Sequence, residues 1–259
     1  MIGAVALCVV ASACGRTAPT HEAAAPAPSP LTAYLAPPQL IRADRRPAAV
    51  LISGAGAPGA TIRLASPNGS VIAGEVDRAG GWRLSAPVGQ TPRLYSLSET
   101  IGGRQVRATG YLAVLPAPGP AAVTLHPAAA ASMAPTDPER GLASLDYDAA
   151  GAAVAGGRAS AGENVKLLLD GKDAGEDRAD SKGAFSAVLS KSLGPGGHVI
   201  VASGERLQAE AKFTAARPIR IATPPFDSQR LAGAWRIDWL TPGGGVQSTV
   251  LFDRPGARR

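Results

Sequence analysis

Short runs of the chain alternate apolar and polar positions at period two, and Gly, Pro, Asn and Asp interrupt them, which is the pattern of β-strands joined by turns. Ile62 and Leu64 flank Arg63, Val165 and Leu167 flank Lys166, and Trp235, Ile237 and Trp239 alternate with Arg236 and Asp238. Further strands are predicted over residues 93–97 and 105–115, and again over 197–203 and 207–215. A hairpin is written into residues 234–252, where Thr241-Pro242-Gly243-Gly244-Gly245 turns the chain and Val246, Val250 and Phe252 return it. Two of the three Trp occupy the outgoing strand of that hairpin, and a two-stranded ribbon is marginal alone. The hairpin therefore docks on a sandwich face, forms a third small sheet, or presents Trp235, Trp239 and Arg236 as an exposed platform for a glycan or a protein.

Sliding the sequence against itself exposes an internal repeat at an offset of 103 residues. Gly54, Gly59, Ile62, Leu64, Asp77, Gly80 and Trp82 fall on Gly157, Gly162, Val165, Leu167, Asp180, Gly183 and Phe185. Asn68-Gly69 and Asp170-Gly171 match with a slip of one residue, and each predicts a tight type I′ hairpin turn. The Asp-x-x-Gly-x-aromatic spacing predicts a second turn, with the Asp bonding backbone two residues on and the Gly left-handed, before a strand that buries its aromatic ring.

These segments (SGAGAPGATIRL … EVDRAGGWRL, then GGRASAGENVKLLLDG … DRADSKGAFSAVL) resemble bacterial Ig-like domains, the first copy more closely than the second. The second has Ala161 where Pro is usual and Phe185 where Trp is usual. The expected fold is all-β: two tandem Ig-like β-sandwich domains plus a C-terminal β-hairpin. The expected boundaries are 40–116 for the first domain, 117–138 for a Pro/Ala-rich linker whose apolar patch at 123–125 offers one strand, 139–217 for the second domain and 218–259 for the C-terminal strand and hairpin.

Residues 1–13 are apolar and uncharged, too short to span a membrane, and read as a secretory signal core, although no Lys or Arg precedes them, which points to a start further upstream. Ala11-Ser12-Ala13-Cys14 resembles the lipobox of bacterial lipoproteins, which implies that Cys14 is lipidated and anchors the chain in a membrane. Gly15 rather than Asp after that Cys is similar to lipoproteins passed to the outer membrane, so the implied address is periplasm-facing. Residues 14–39, rich in Pro and Ala, form an extended tether.

Only 4% of residues are aromatic against 45% hydrophobic, so the cores are aliphatic and each large ring counts. The net charge of +6 is uneven: residues 40–116 carry nine Arg against four acids, 139–217 are nearly neutral, and 218–259 carry six Arg against three acids. No run of Lys or Arg exceeds two residues, so no nucleic-acid partner is expected, and the Arg serve solubility or an anionic envelope polymer such as peptidoglycan.

Catalytic and cofactor chemistry find little purchase. Gly54-Ala55-Gly56-Ala57-Pro58-Gly59 is a literal G-x-G-x-x-G, but it opens a strand rather than a helix, and the second copy has Ala159 at the middle Gly. Cys8 and Cys14 are the only cysteines, and the three His (His21, His126, His198) lie far apart, with His198 read as an edge residue. Asp170, Asp173, Glu176, Asp177 and Asp180 are interleaved with Lys172, Arg178 and Lys182, a solvated hairpin rather than a calcium loop. No enzyme, cofactor or metal site is expected, and the implied role is binding or scaffolding in the cell envelope, with a protein or glycan partner.

Overall fold

The structure is a computed structural model that describes residues 34–137, 139–218, 221–222 and 224–253. Alternation and turns dominate it as expected: among the described residues the chain is all-β and every strand pairing is antiparallel. The described residues from Leu35 onward form one compact unit.

In the first sandwich β1 (Gln39–Arg45), β2 (Ala49–Ala55) and β5 (Gly81–Pro87) make one sheet. Facing it are β3 (Thr61–Ala65), β4 (Val71–Glu75) and β6 (Arg93–Ile101). The expected strand over 105–115 is two strands. β7 (Arg104–Arg107) pairs with the C-terminal half of β6, and β8 (Tyr111–Val114) with its N-terminal half. Val50, Ile52, Ile62, Leu64, Trp82 and Tyr95 fill the core between the sheets.

The second sandwich repeats this plan. β11 (Gly141–Asp148), β12 (Ala153–Arg158) and β15 (Ala184–Val188) share one sheet, and β13 (Asn164–Leu169), β14 (Lys172–Arg178), β16 (Gly196–Ser203) and β17 (Gln208–Ala215) form the other. His198 sits on β16 opposite Phe213 of β17, and β13 pairs with β16 only from Ile200 to Ser203, so one side of His198 lies beyond the ladder, at the rim of the sheet. The core around Leu145, Val165, Leu167, Phe185, Ile200 and Phe213 is as aliphatic as the composition requires.

The repeat positions have physical causes that recur in both copies. β1 bulges between Leu40 and Arg42 opposite Gly54, and β11 bulges between Leu142 and Ser144 opposite Gly157. A Cβ on Gly54 would lie 1.8 Å from the Gln39 carbonyl oxygen and 2.4 Å from the Trp82 ring; on Gly157 it would lie 2.1 Å from the Gly141 oxygen and 2.7 Å from the Phe185 ring. Bulge, glycine and aromatic are thus one packing unit used twice. Asp77 Oδ1 accepts from the N–H groups of Ala79 and Gly81, and Asp180 Oδ1 from those of Lys182 and Ala184. Gly80 and Gly183 supply the left-handed residue each turn needs, at φ 83° and 82°.

The hairpin turns differ, which explains the one-residue slip. Asp170 and Gly171 both have positive φ, at 52° and 75°, and close a two-residue type I′ turn between Leu169 and Lys172. At Asn68-Gly69 only the glycine is left-handed, and Ser66 pairs with Ser70 around a three-residue loop. The first copy therefore lacks the type I′ turn expected of it; Asn68 Oδ1 instead accepts from the Ser70 N–H.

Residues 117–138 are more than a linker. β9 (Ala122–Leu125) and β10 (Ser132–Met133) extend the first sandwich in the order β10-β9-β8-β6. At the C-terminus β18 (Phe226–Leu231), β19 (Ala234–Leu240) and β20 (Val246–Phe252) extend the second, with β20 paired to β11. The two extensions pack face to face: Leu94, Ala113, Leu115, Val123 and Leu125 meet Trp235, Ile237, Trp239 and Leu251 in a third hydrophobic core.

Candidate functional site: the junction between the sandwiches

The expected binding platform is buried. Trp235, Arg236 and Trp239 are exposed by 6%, 6% and 0%. β19 lies between β18 and β20, and its residues Ala234–Trp239 are buried on both faces. Trp235, Ile237 and Trp239 enter the third core, where Trp239 meets Tyr111 edge-on at 5.8 Å and Arg230 stacks 5.5 Å from the Trp235 ring. At about 25 cal/mol per Å² and 150–250 Å² per ring, each Trp gains about 4–6 kcal/mol from leaving water. The Trp235/Trp239 platform for glycan or protein is therefore replaced by a structural clamp, and the hairpin docks within the chain.

The opposite face of β19 carries a buried ion pair. Arg236 Nε donates to Asp238 Oδ1 at 2.9 Å, and its Nη2 reaches Ser248 Oγ and the Arg217 carbonyl, each at 3.2 Å. Tyr147 lies under the guanidinium at 5.9 Å, and its hydroxyl donates to the Ala216 carbonyl at 3.1 Å. Each charge is hydrogen-bonded, as a buried pair requires.

A second polar cluster ties residues 126–131 to the second sandwich. Asp146 Oδ1 accepts from Thr249 Oγ1 at 2.5 Å and Gln247 Nε2 at 3.2 Å. Its Oδ2 accepts from the Ala131 N–H at 2.8 Å and Ser144 Oγ at 2.9 Å. Gln247 also donates to the His126 carbonyl and accepts from the Ala128 N–H, while Trp239 Nε1 donates to Thr249 Oγ1. Burial pushes the Asp146 carboxyl up to about 6, and the four hydrogen bonds only partly oppose it. Sequence reading passes over Asp146 because Ser144 and Asp146 alternate with Leu145 and Tyr147 like any half-exposed strand. Only the packing of residues near Ala131 over that face, which bonds both Ser144 and Asp146, shows that it is covered.

The remaining candidates are structural. His198 Nδ1 lies 2.7 Å from Asp170 Oδ2 and its Nε2 2.9 Å from the Gly194 carbonyl. Burial pulls its pKa down, but these bonds outweigh burial and raise it. The Asp170 carboxyl is held below its usual range by the Val199 N–H and by His198. Of the other acids in that stretch, Asp173 pairs with Lys166 and Asp177 accepts from the Ser186 N–H. Glu163 accepts from the N–H groups of Arg206 and Ser160, which hold its carboxyl down at about 2. Among the described residues no group of three or more His, Cys, Asp or Glu is placed to hold a metal ion. Among the described residues there is no helix long and apolar enough to cross a membrane. Cys14 lies outside the described residues.

No protein-family model and no curated protein matches the chain. Among solved structures it is similar to the BSP domain of a biofilm-associated protein, at 13% identity and a TM-score of 0.25, over 72% of this chain and 30% of that one. It is also similar to a Ca²⁺-stabilised adhesin that helps an Antarctic bacterium reach out and bind ice, at 13% identity and TM-score 0.20, over 79% and 61%. The central fibronectin-III array of RIM-binding protein aligns at 12% identity and TM-score 0.26, over 83% and 88%. The chain thus spans less than two thirds of the first two. These likenesses carry no argument about function, and the all-β, Ig-like architecture rests on strand order and register.

Proposed function

We propose that the chain is a non-catalytic scaffold of the bacterial cell envelope, anchored through a lipid on Cys14 in the outer membrane and facing the periplasm. Its two sandwiches act as one rigid body that presents a fixed surface to an envelope partner. The observation that carries this reading is the third core, because a shared hydrophobic seam with Trp239 fully buried resists hinge motion that a flexible linker would allow. The lipobox-like Ala11-Ser12-Ala13-Cys14 and the Pro/Ala-rich stretch after it support the anchor and tether.

Two measurements test it. Spin labels on Arg78→Cys and Glu205→Cys, with Cys8 and Cys14 changed to Ser, give one narrow distance distribution if the body is rigid; a broad or multiple distribution refutes the scaffold. In cells of a Gram-negative host, Cys14→Ser moves the protein from the membrane to the soluble fraction, and continued membrane association would refute the anchor.

A further inference from the structure

A cleft of about 430 Å³ opens between the sandwiches, within the range of small-molecule sites, which favour domain interfaces. Its first-sandwich side is largely apolar: Leu40, Leu97, Leu112 and Met133 line it beside the Tyr111 ring. The facing wall comes from the second sandwich and carries Arg158 and Lys182. Arg158 donates to the Lys182 carbonyl, which holds the guanidinium beside the Lys182 segment. Among the described residues Asp180 is the one carboxylate lining the cleft, and its Oδ1 is occupied by the N–H groups of Lys182 and Ala184 at 2.7 and 2.9 Å. His126 also lines the cleft, with Nε2 2.8 Å from Ser132 Oγ, and burial lowers its pKa, so it adds no charge at neutral pH.

We propose that this cleft binds a single-chain fatty acid of medium length, with its carboxylate against Arg158 and Lys182 and its chain along Leu40, Leu97, Leu112 and Met133. One net positive charge beside an apolar wall matches one anionic group on a hydrocarbon body, and a charge-assisted hydrogen bond to guanidinium fixes the orientation. The third core holds the two walls in register, so little ordering cost falls on binding. The inference goes beyond the scaffold reading and is independent of the lipid on Cys14.

Calorimetric titration of the full chain carrying Cys14→Ser with decanoate, and separately with decanol, tests it. Saturable one-to-one binding of decanoate with a negative heat-capacity change is expected. The double variant Arg158→Gln/Lys182→Gln weakens decanoate about tenfold or more and leaves decanol within about twofold, since only the charged contact is lost. Met133→Asp and, as a check on β10, Leu40→Asp each weaken both ligands. Absence of saturable decanoate binding, or an unchanged decanoate-to-decanol ratio in the double variant, overturns the proposal. Neither result bears on the rigidity measured by the spin labels.

Discussion

Asp146 makes the stability of the junction depend on pH in a direction opposite to that of most carboxylates. Its folded pKa of about 6 stands above the ordinary 3.8, so the native state holds the proton more tightly than the unfolded chain. Its contribution is complete below about pH 4 and is lost as pH rises through 6, a change of about 3 kcal/mol at 1.36 kcal/mol per unit. The site accommodates the proton: a protonated Oδ2 donates to Ser144 Oγ, whose own hydrogen then turns to the Ala131 carbonyl 3.3 Å away. Asp146→Asn removes the titration and sacrifices the Ala131 N–H bond, worth about 1 kcal/mol. Urea unfolding followed by Trp fluorescence at pH 4.0 and pH 7.5 reads the effect. The variant is slightly less stable than the parent at pH 4.0, where the unfolded carboxyl is already more than half ionised, and more stable at pH 7.5 by about 2 kcal/mol, so the difference between the two proteins swings by about 2.4 kcal/mol. The other titrating groups are common to both proteins and cancel in that difference. A swing below about 1 kcal/mol would show that Asp146 does not titrate in a buried site, and the account of the junction would fail.

Two further outcomes follow from packing. Trp239→Ala leaves a cavity in the third core and removes the bond to Thr249, a loss of about 3–5 kcal/mol, so the thermal midpoint falls on the order of 10 °C and the spin-label distances broaden; a fall under about 3 °C would mean the seam is not a stabilising core. Gly54→Ala and Gly157→Ala force a Cβ into backbone and ring and lower stability by about 2 kcal/mol or more, whereas Gly197→Ala, with open space at its Cβ, ranges from neutral to about 1 kcal/mol stabilising. Equal urea midpoints for the three variants would sink the packing-unit explanation of the repeat.

The repeat was legible in the sequence wherever one residue carries one local job. Gly54 and Gly157 mark a close approach, Asp77 and Asp180 close the same turn, and Trp82 and Phe185 fill the same hole; each can be read without knowing the neighbours in space. Jobs shared between non-equivalent residues left no such trace. The N–H of Ala57 in the first copy is capped by Glu99 from β6, whereas its counterpart Ser160 is capped by Glu163 from its own loop, so the function repeats and the residue does not. The split of β7 from β8 escaped for a similar reason. Gly110 at φ 82° has room for no Cβ because the Leu125 carbonyl oxygen would lie 1.8 Å from it, a constraint imposed by β9 and invisible along the chain.

The hairpin at residues 234–252 shows the limit most sharply. Its alternation of Trp235, Ile237 and Trp239 with Arg236 and Asp238 gives the two faces correctly, and on a surface ribbon the charged face would meet solvent. Both faces are buried because β20 pairs with β11 and β8–β10 cover the Trp side. Burial of the Arg236–Asp238 pair is tolerable only because Ser248, Tyr147 and the Arg217 carbonyl complete its bonding, and those partners come from three separate segments. The same strand thus closes the second sandwich with Ala234 and joins it to the first with Trp239. A chain whose two sandwich cores are mostly aliphatic thus places two of its three tryptophans on the seam, where a loss is felt by both domains at once.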